Sequence, residues 1–187
     1  MNPTTAVSPV SYRVNVTRLA RTGLPVWLEA DEGQRAALAA GHGLLAVNSF
    51  RLDLLLTPWK GDGVKVSGHV VATITQACVV TLEPVSARID TPVDAIFVPE
   101  GSKMAVPGWI ERGEMVLDAE GPDTPETFSG DSIDVGALAE EFFALAIEPY
   151  PRKAGVSVEL ASEGQGAADE ESHGPLYEKL RSLAGKS

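Results

Sequence analysis

The chain has one cysteine in 187 residues, Cys78, and three histidines, His42, His69 and His173. One cysteine excludes an intramolecular disulfide framework and suits a reducing compartment. A structural zinc site needs four ligands, mostly cysteine and histidine in local pairs, and the supply is short. Aromatic residues make up only 6% of the chain, which leaves valine, leucine, alanine and isoleucine to build the core. No uninterrupted run of about 18 apolar residues occurs, so no transmembrane helix is expected. The opening MNPTTAVSPVSYRV lacks a basic stretch followed by an apolar one and is not read as a signal peptide. On that reading the Asn15-Val16-Thr17 triplet is not a glycosylation site. Positive charge is scarce as well: 15 lysines and arginines stand against 26 acids, a net charge of -11. Nucleic-acid affinity comes largely from basic side chains neutralising phosphates, so tight independent binding of RNA or DNA is not expected.

Catalytic patterns are also missing. There is no G-x-S-x-G, no Walker A pattern and no G-x-G-x-x-G. Gly41-His42-Gly43 and Gly61-Asp62-Gly63 read as turns. The Glu140–Glu141 pair falls on the polar side of a predicted helix, where carboxylates aid solubility. A cysteine nucleophile needs a positioned base. His69 lies nine residues before Cys78 on the same predicted strand, on the opposite face by parity. Thr81, three residues after Cys78, stands where the second half of a C-x-x-C pair would be and cannot form a disulfide. Cys78 is therefore read as a small hydrophobe packed on the apolar face of a strand. No catalytic residue, metal ligand or cofactor is expected, and the chain is read as a non-enzyme.

What is present is a pattern of long alternating strands. Residues 11–19 read as a strand, and "VWLEA" resumes it after Gly23 and Pro25. Asp31 and Gln34 are spaced as a capping box at the start of a short helix over 31–40. Residues 45–58, 64–80 and 85–98 read as three successive strands with short connections. The middle one sets Val64, Val66, Val70, Ala72, Ile74, Gln76 and Cys78 on one face, and Gly68 within it predicts a bulge or a close backbone approach. Residues 99–130 read as an acidic loop with a brief hairpin around Arg112–Gly113. A helix over 134–147 follows, with Asp131, Ser132 and Asp134 crowding its start and Val135, Leu138, Ala139, Phe142, Leu145 and Ala146 forming its apolar stripe. The expected fold is α+β: an antiparallel meander, open or partly closed into a barrel, with two packed helices. The expected organisation is one domain over 1–160, a disordered linker over 161–174 and a tethered amphipathic helix over 175–187. Leu176, Leu180 and Leu183 of that helix are candidate partner-docking residues.

Charge is uneven along the chain. Residues 1–30 hold Arg13, Arg18 and Arg21 against Glu29, and residues 111–134 hold eight acids against Arg112. The arginines are the candidate RNA-contact residues.

Two stretches carry a family resemblance. "TQACVVTLEPV" (75–85) resembles the C-x-x-C-L-x-P signature of the YceD family, the large ribosomal RNA subunit accumulation proteins. Cys78, Leu82, Glu83 and Pro84 match it, and Thr81 replaces the second cysteine. "IDVGALAEEFFALAIEPYPRK" (133–153) resembles the family's later motif through Asp134 and Gly136. The terminal "GPLYEKLRSL" is similar to the family's short closing helix. The resemblance implies a cytoplasmic bacterial protein that supports large-subunit ribosomal RNA accumulation. It implies a ribosomal protein or pre-ribosomal particle as partner, weak direct contact with ribosomal RNA at most, and neither DNA nor membrane. The missing cysteine puts in doubt any metal or redox role that two-cysteine relatives have.

Overall fold

An apolar residue at every second position of a strand demands a covering layer, because a strand cannot hide its own face. The structure is a computed structural model that describes residues 7–102, 110–111, 114–115 and 125–155. In chain order its elements are β1 (Arg13–Asn15), β2 (Leu24–Glu29), α1 (Glu32–Gly41), β3 (Ala46–Trp59), β4 (Gly63–Ala77), β5 (Pro84–Pro99), β6 (Ile110–Glu111), β7 (Glu114–Met115), β8 (Glu126–Phe128), β9 (Ser132–Asp134) and α2 (Val135–Leu145). The main sheet runs β2-β3-β4-β5-β8. Its first four strands are antiparallel, and β8 joins in parallel over Phe97–Pro99. The fold is thus α+β with a mostly antiparallel sheet. The sheet is open rather than a barrel, since β2 and β8 are its two edges and do not pair with each other.

The inner face of the sheet carries Leu52, Leu54 and Leu56 from β3 and Val64, Val66, Val70, Ala72 and Ile74 from β4. Ile89, Val93 and Phe97 extend it on β5. The two helices lie over this face. Leu38 and Ala39 of α1 and Val135, Leu138, Ala139 and Phe143 of α2 close the core. Phe50 and Phe143 meet edge to face at 5.4 Å between ring centroids. Full burial of such a side chain contributes about 1.5–3 kcal/mol. The expected stripe on α2 is rotated by one residue at its end: Phe143 is buried, Phe142 is half-buried and Leu145 is 85% exposed. The outer face bears ion pairs such as Lys65–Asp94 at 3.0 Å and Arg51–Asp53 at 2.9 Å. These solvated pairs contribute little stability.

Local chemistry sets the element ends. Asp31 accepts from the Gln34 N–H at 2.8 Å, and the Gln34 side chain accepts from the Asp31 N–H at 2.9 Å, which completes the capping box of α1. The strand expected over 11–19 shrinks to three residues and pairs with β9 rather than with the main sheet. The Asn15 side chain accepts from the Thr17 N–H at 3.1 Å and turns the chain there. Gly68 has φ +152, and a Cβ on it would sit 2.1 Å from the Asp53 carbonyl oxygen. The register runs unbroken through Leu54, Gly68 and Val93, so this is a close approach and not a bulge. The irregularity lies between Val47 and Ser49. The short β6–β7 pairing spans the expected hairpin.

Contacts divide the chain into compact units at residues 1–154 and 155–187. The linker expected over 161–174 and the helix with Leu176, Leu180 and Leu183 lie outside the described residues.

Gly136, on the buried face of α2, is crossed by the N-terminal segment. A Cβ there would stand 1.8 Å from the Val10 carbonyl oxygen and 2.7 Å from the Tyr12 nitrogen. Gly136→Ala is expected to destabilise the fold by about 2–4 kcal/mol, measured by urea denaturation. Gly41→Ala, at a helix position with nothing within 4 Å, is expected to raise stability by up to about 1 kcal/mol. Equal effects of the two substitutions would contradict the close approach.

Candidate functional site

β4 ends at Ala77, and Cys78 continues its inner face. The chain then reverses in a tight turn. The Cys78 N–H donates to the Glu83 carbonyl at 2.8 Å, and the Leu82 N–H donates to the Cys78 carbonyl at 2.9 Å. Leu82 adopts φ +60, which swings Glu83 and Pro84 back into β5. Among the described residues it is the one non-glycine with positive φ.

The Cys78 sulfur is ringed by donors. The Thr81 hydroxyl is the strongest influence, followed by the backbone N–H groups of Lys153, Thr81 and Val80. Together they outweigh desolvation and lower the thiol to about 6. The Lys153 N–H lies 3.4 Å from the sulfur. Cys78 has no accessible surface, but its cover is thin, since Val79, Val80, Thr81 and Leu82 around it are all exposed.

That cover is the segment 148–153, the exit from α2. The Gln76 side-chain N–H donates to the Glu148 carbonyl at 2.9 Å, the Val79 N–H donates to the Pro151 carbonyl at 2.9 Å, and Lys153 pairs with Glu83 at 2.9 Å. The two sequence motifs therefore meet in space. Cys78, Leu82, Glu83 and Pro84 form one turn, strapped by the end of the second motif. Asp134 and Gly136 sit at the other end of α2, about 16 Å away along an eleven-residue helix. Burial raises the Asp134 carboxyl, but donation from the Ser11 hydroxyl and the N–H groups of Ala137, Tyr12 and Gly136 brings it below its ordinary range. Asp134 thus caps α2 and holds the N-terminal segment to it.

Among the described residues no histidine faces the sulfur. His69 points to the outer face, with its Nδ1 3.2 Å from Asp90, and His42 sits 2.9 Å from Glu140 and edge-on to Phe143. Among the described residues no group of three or more His, Cys, Asp or Glu side chains is arranged to hold a metal ion. Thr81 supplies a hydrogen bond to the sulfur in place of a second thiol. The arrangement fastens the 148–153 segment over the sulfur through hydrogen bonds.

The candidate RNA-contact arginines are all exposed. Arg13 donates through Nε and Nη2 to the Ser132 hydroxyl at 3.3 and 3.0 Å. Arg18 and Arg21 make no ion pair or side-chain hydrogen bond among the described residues. Sequence reasoning missed an apolar cluster at the turn: Val79 is 45% exposed, Val80 39%, Leu82 76% and Tyr150 70%. The signal for it was the loss of alternation after Cys78, where Val79 and Val80 are both apolar.

A family model described as "Large ribosomal RNA subunit accumulation protein YceD" matches residues 66–184, well over half of the chain. No curated protein and no solved structure gives a significant match.

The lowered thiol has a sign that can be checked. Above about pH 6 the folded thiol has lost its proton, whereas an ordinary thiol keeps its proton to about pH 9. Between these values unfolding takes up a proton, so the contribution of Cys78 to stability grows with rising pH and vanishes below the window. The gap in urea midpoint between the wild type and Cys78→Ala is expected to widen from below pH 6 to about pH 9. A gap that stays constant would show that the sulfur is not held as an anion.

Proposed function

This chain belongs to the YceD family, and on that footing we propose that it is a non-enzymatic factor in large-subunit ribosomal RNA accumulation, acting through a protein partner at the Cys78–Pro84 turn. The observation that carries the reading is Leu82. A left-handed backbone conformation costs a residue with a side chain roughly 1–2 kcal/mol. Leu82 adopts it while 76% exposed, so the fold recovers little of that cost through burial of the side chain. Strain held at an exposed apolar residue points to use outside the fold. With Val79, Val80 and Tyr150 it presents an apolar knob of the kind that anchors protein interfaces.

The net charge of -11 favours a basic partner, such as a ribosomal protein or a pre-ribosomal particle, over bare RNA. Any direct contact with ribosomal RNA falls to Arg18 and Arg21 and is weak. DNA and membrane are not partners on this reading; no helix among the described residues is long and apolar enough to cross a bilayer. The site of action is the cytoplasm, where ribosomes assemble. Cys78 serves as an anchor and not as a nucleophile.

Leu82→Gly separates the two roles of the residue. It removes the side chain and relieves the strain, so folded stability should stay within about 1 kcal/mol of wild type or rise. Large-subunit ribosomal RNA, measured in cells that depend on the variant, should fall. Cys78→Ala cells grown where the variant remains folded should accumulate the RNA normally. Normal accumulation with Leu82→Gly would remove the docking role of the turn, and failure of a folded Cys78→Ala would restore chemistry at the sulfur.

A further inference from the structure

Two cavities adjoin at the end of the sheet where β8 meets β5. The first, about 380 Å³, has Val16, Leu19, Pro58, Val64 and Phe128 among its walls, with Asp62 and Asp131 in its lining. The second, about 230 Å³, is lined by Phe97, Phe128 and Leu138 together with Arg13, Glu126 and Glu141. Phe128 belongs to both, so the two form one seam with apolar walls and carboxylates along it.

The charges of this seam are poorly matched within the fold. Asp131 accepts from the Asn15 side chain at 2.8 Å through one oxygen. Asp62 makes no hydrogen bond or ion pair among the described residues. Glu126 of β8 and Glu141 of α2 both line the second cavity, and desolvation together with the charge of Glu141 raises the Glu126 carboxyl above its ordinary range. Among the described residues Arg13 is the one base lining either cavity, and its hydrogen bonds go to the Ser132 hydroxyl rather than to these acids.

We propose that this seam is a binding site for a basic peptide segment of a protein partner, with an arginine or lysine side chain seated in each cavity. The walls suit the methylene stem of such a side chain, and the carboxylates suit its charged head. Five carboxylates line the two cavities, Asp134 among them, against one arginine; they repel phosphate, so RNA is the wrong occupant. The inference deepens the protein-partner reading given above and rests on it for the identity of the ligand class. The seam reads positive charge, whereas the Leu82 knob supplies apolar contact.

The test uses the full chain and fluorescein-labelled octa-arginine, read by anisotropy at physiological ionic strength. Wild-type protein binds the peptide. The pairs Asp62→Asn with Asp131→Asn, and Glu126→Gln with Glu141→Gln, each weaken binding by about tenfold. Asp90→Asn with Asp94→Asn removes the same number of charges from the outer face and leaves affinity within about twofold. Leu82→Gly also binds the peptide like wild type, so failure at the seam and failure at the knob are read separately. Equal weakening by the outer-face pair reduces the effect to bulk charge and overturns the proposal. So do wild-type affinity in both seam variants, no binding by the wild type, or tighter binding of a single-stranded RNA of the same length.

Discussion

Val70, Ala72 and Ile74 of β4 have no accessible surface, and what keeps water from this part of the sheet includes a helix too short to stand alone. α2 has eleven residues, under the length at which an isolated helix is stable in water. It is held because both of its ends are tied. At the first end Asp134 gathers the Ala137 N–H, the Tyr12 N–H and the Ser11 hydroxyl, while Gly136 lets the Val10 carbonyl pass against the helix. At the second end the 148–153 strap is fastened to Gln76, Cys78, Val79 and Glu83. Phe143 then packs between Phe50 and His42.

The two ties also explain why a motif with a cysteine at its centre need not carry out chemistry. A thiolate acts as a nucleophile only where a substrate can reach it. Cys78 is fully covered, and its low-lying thiol results from the same donors that close the strap over it. Thr81 supplies the first of these donors, so the substitution of threonine for the second cysteine replaces one sulfur with a group that serves the first. The motif residues divide by direction. Cys78, Asp134 and Gly136 are turned inward and maintain the fold, whereas the side chain of Leu82 is turned outward and only its backbone serves the turn.

Much of this was legible in the sequence where the signal is local. Strands β3, β4 and β5 follow from an alternation kept up over 14 to 16 residues each. The capping box at Asp31 and the N-cap at Asp134 follow from side chains that act on the backbone three residues ahead. The face of Cys78 followed from parity alone. What was not legible depends on contacts distant in sequence. Residues 11–19 carry strand propensity, but only the pairing of Val14 with Ile133 decides that three of them form a strand, and in which sheet. A partly closed barrel was compatible with the same alternation, and strand order alone excludes it. Gly136 looks like a helix-weakening residue until the Val10 carbonyl is placed against it. Nothing within the Cys78 turn announces that its cover comes from residue 153.

Both ties are built on the same physical device, a partly desolvated anion ringed by N–H and hydroxyl donors. Each anion is therefore easier to form in the folded protein than in the unfolded chain, and each tie weakens as its anion takes up a proton. They do not weaken together. The Cys78 thiolate is protonated as pH falls through about 6, while Asp134 stays ionised until the solution is more acidic than the ordinary carboxylate range. Acid thus acts first on the strap and the Leu82 turn beneath it, and only later on the N-terminal segment at Gly136. Between those two steps α2 keeps its cap and its place on the sheet, while the donors around Cys78 hold a neutral sulfur more weakly than a thiolate. On this account the outward turn is the more easily perturbed part of the molecule, and the inward helix start is the more durable one.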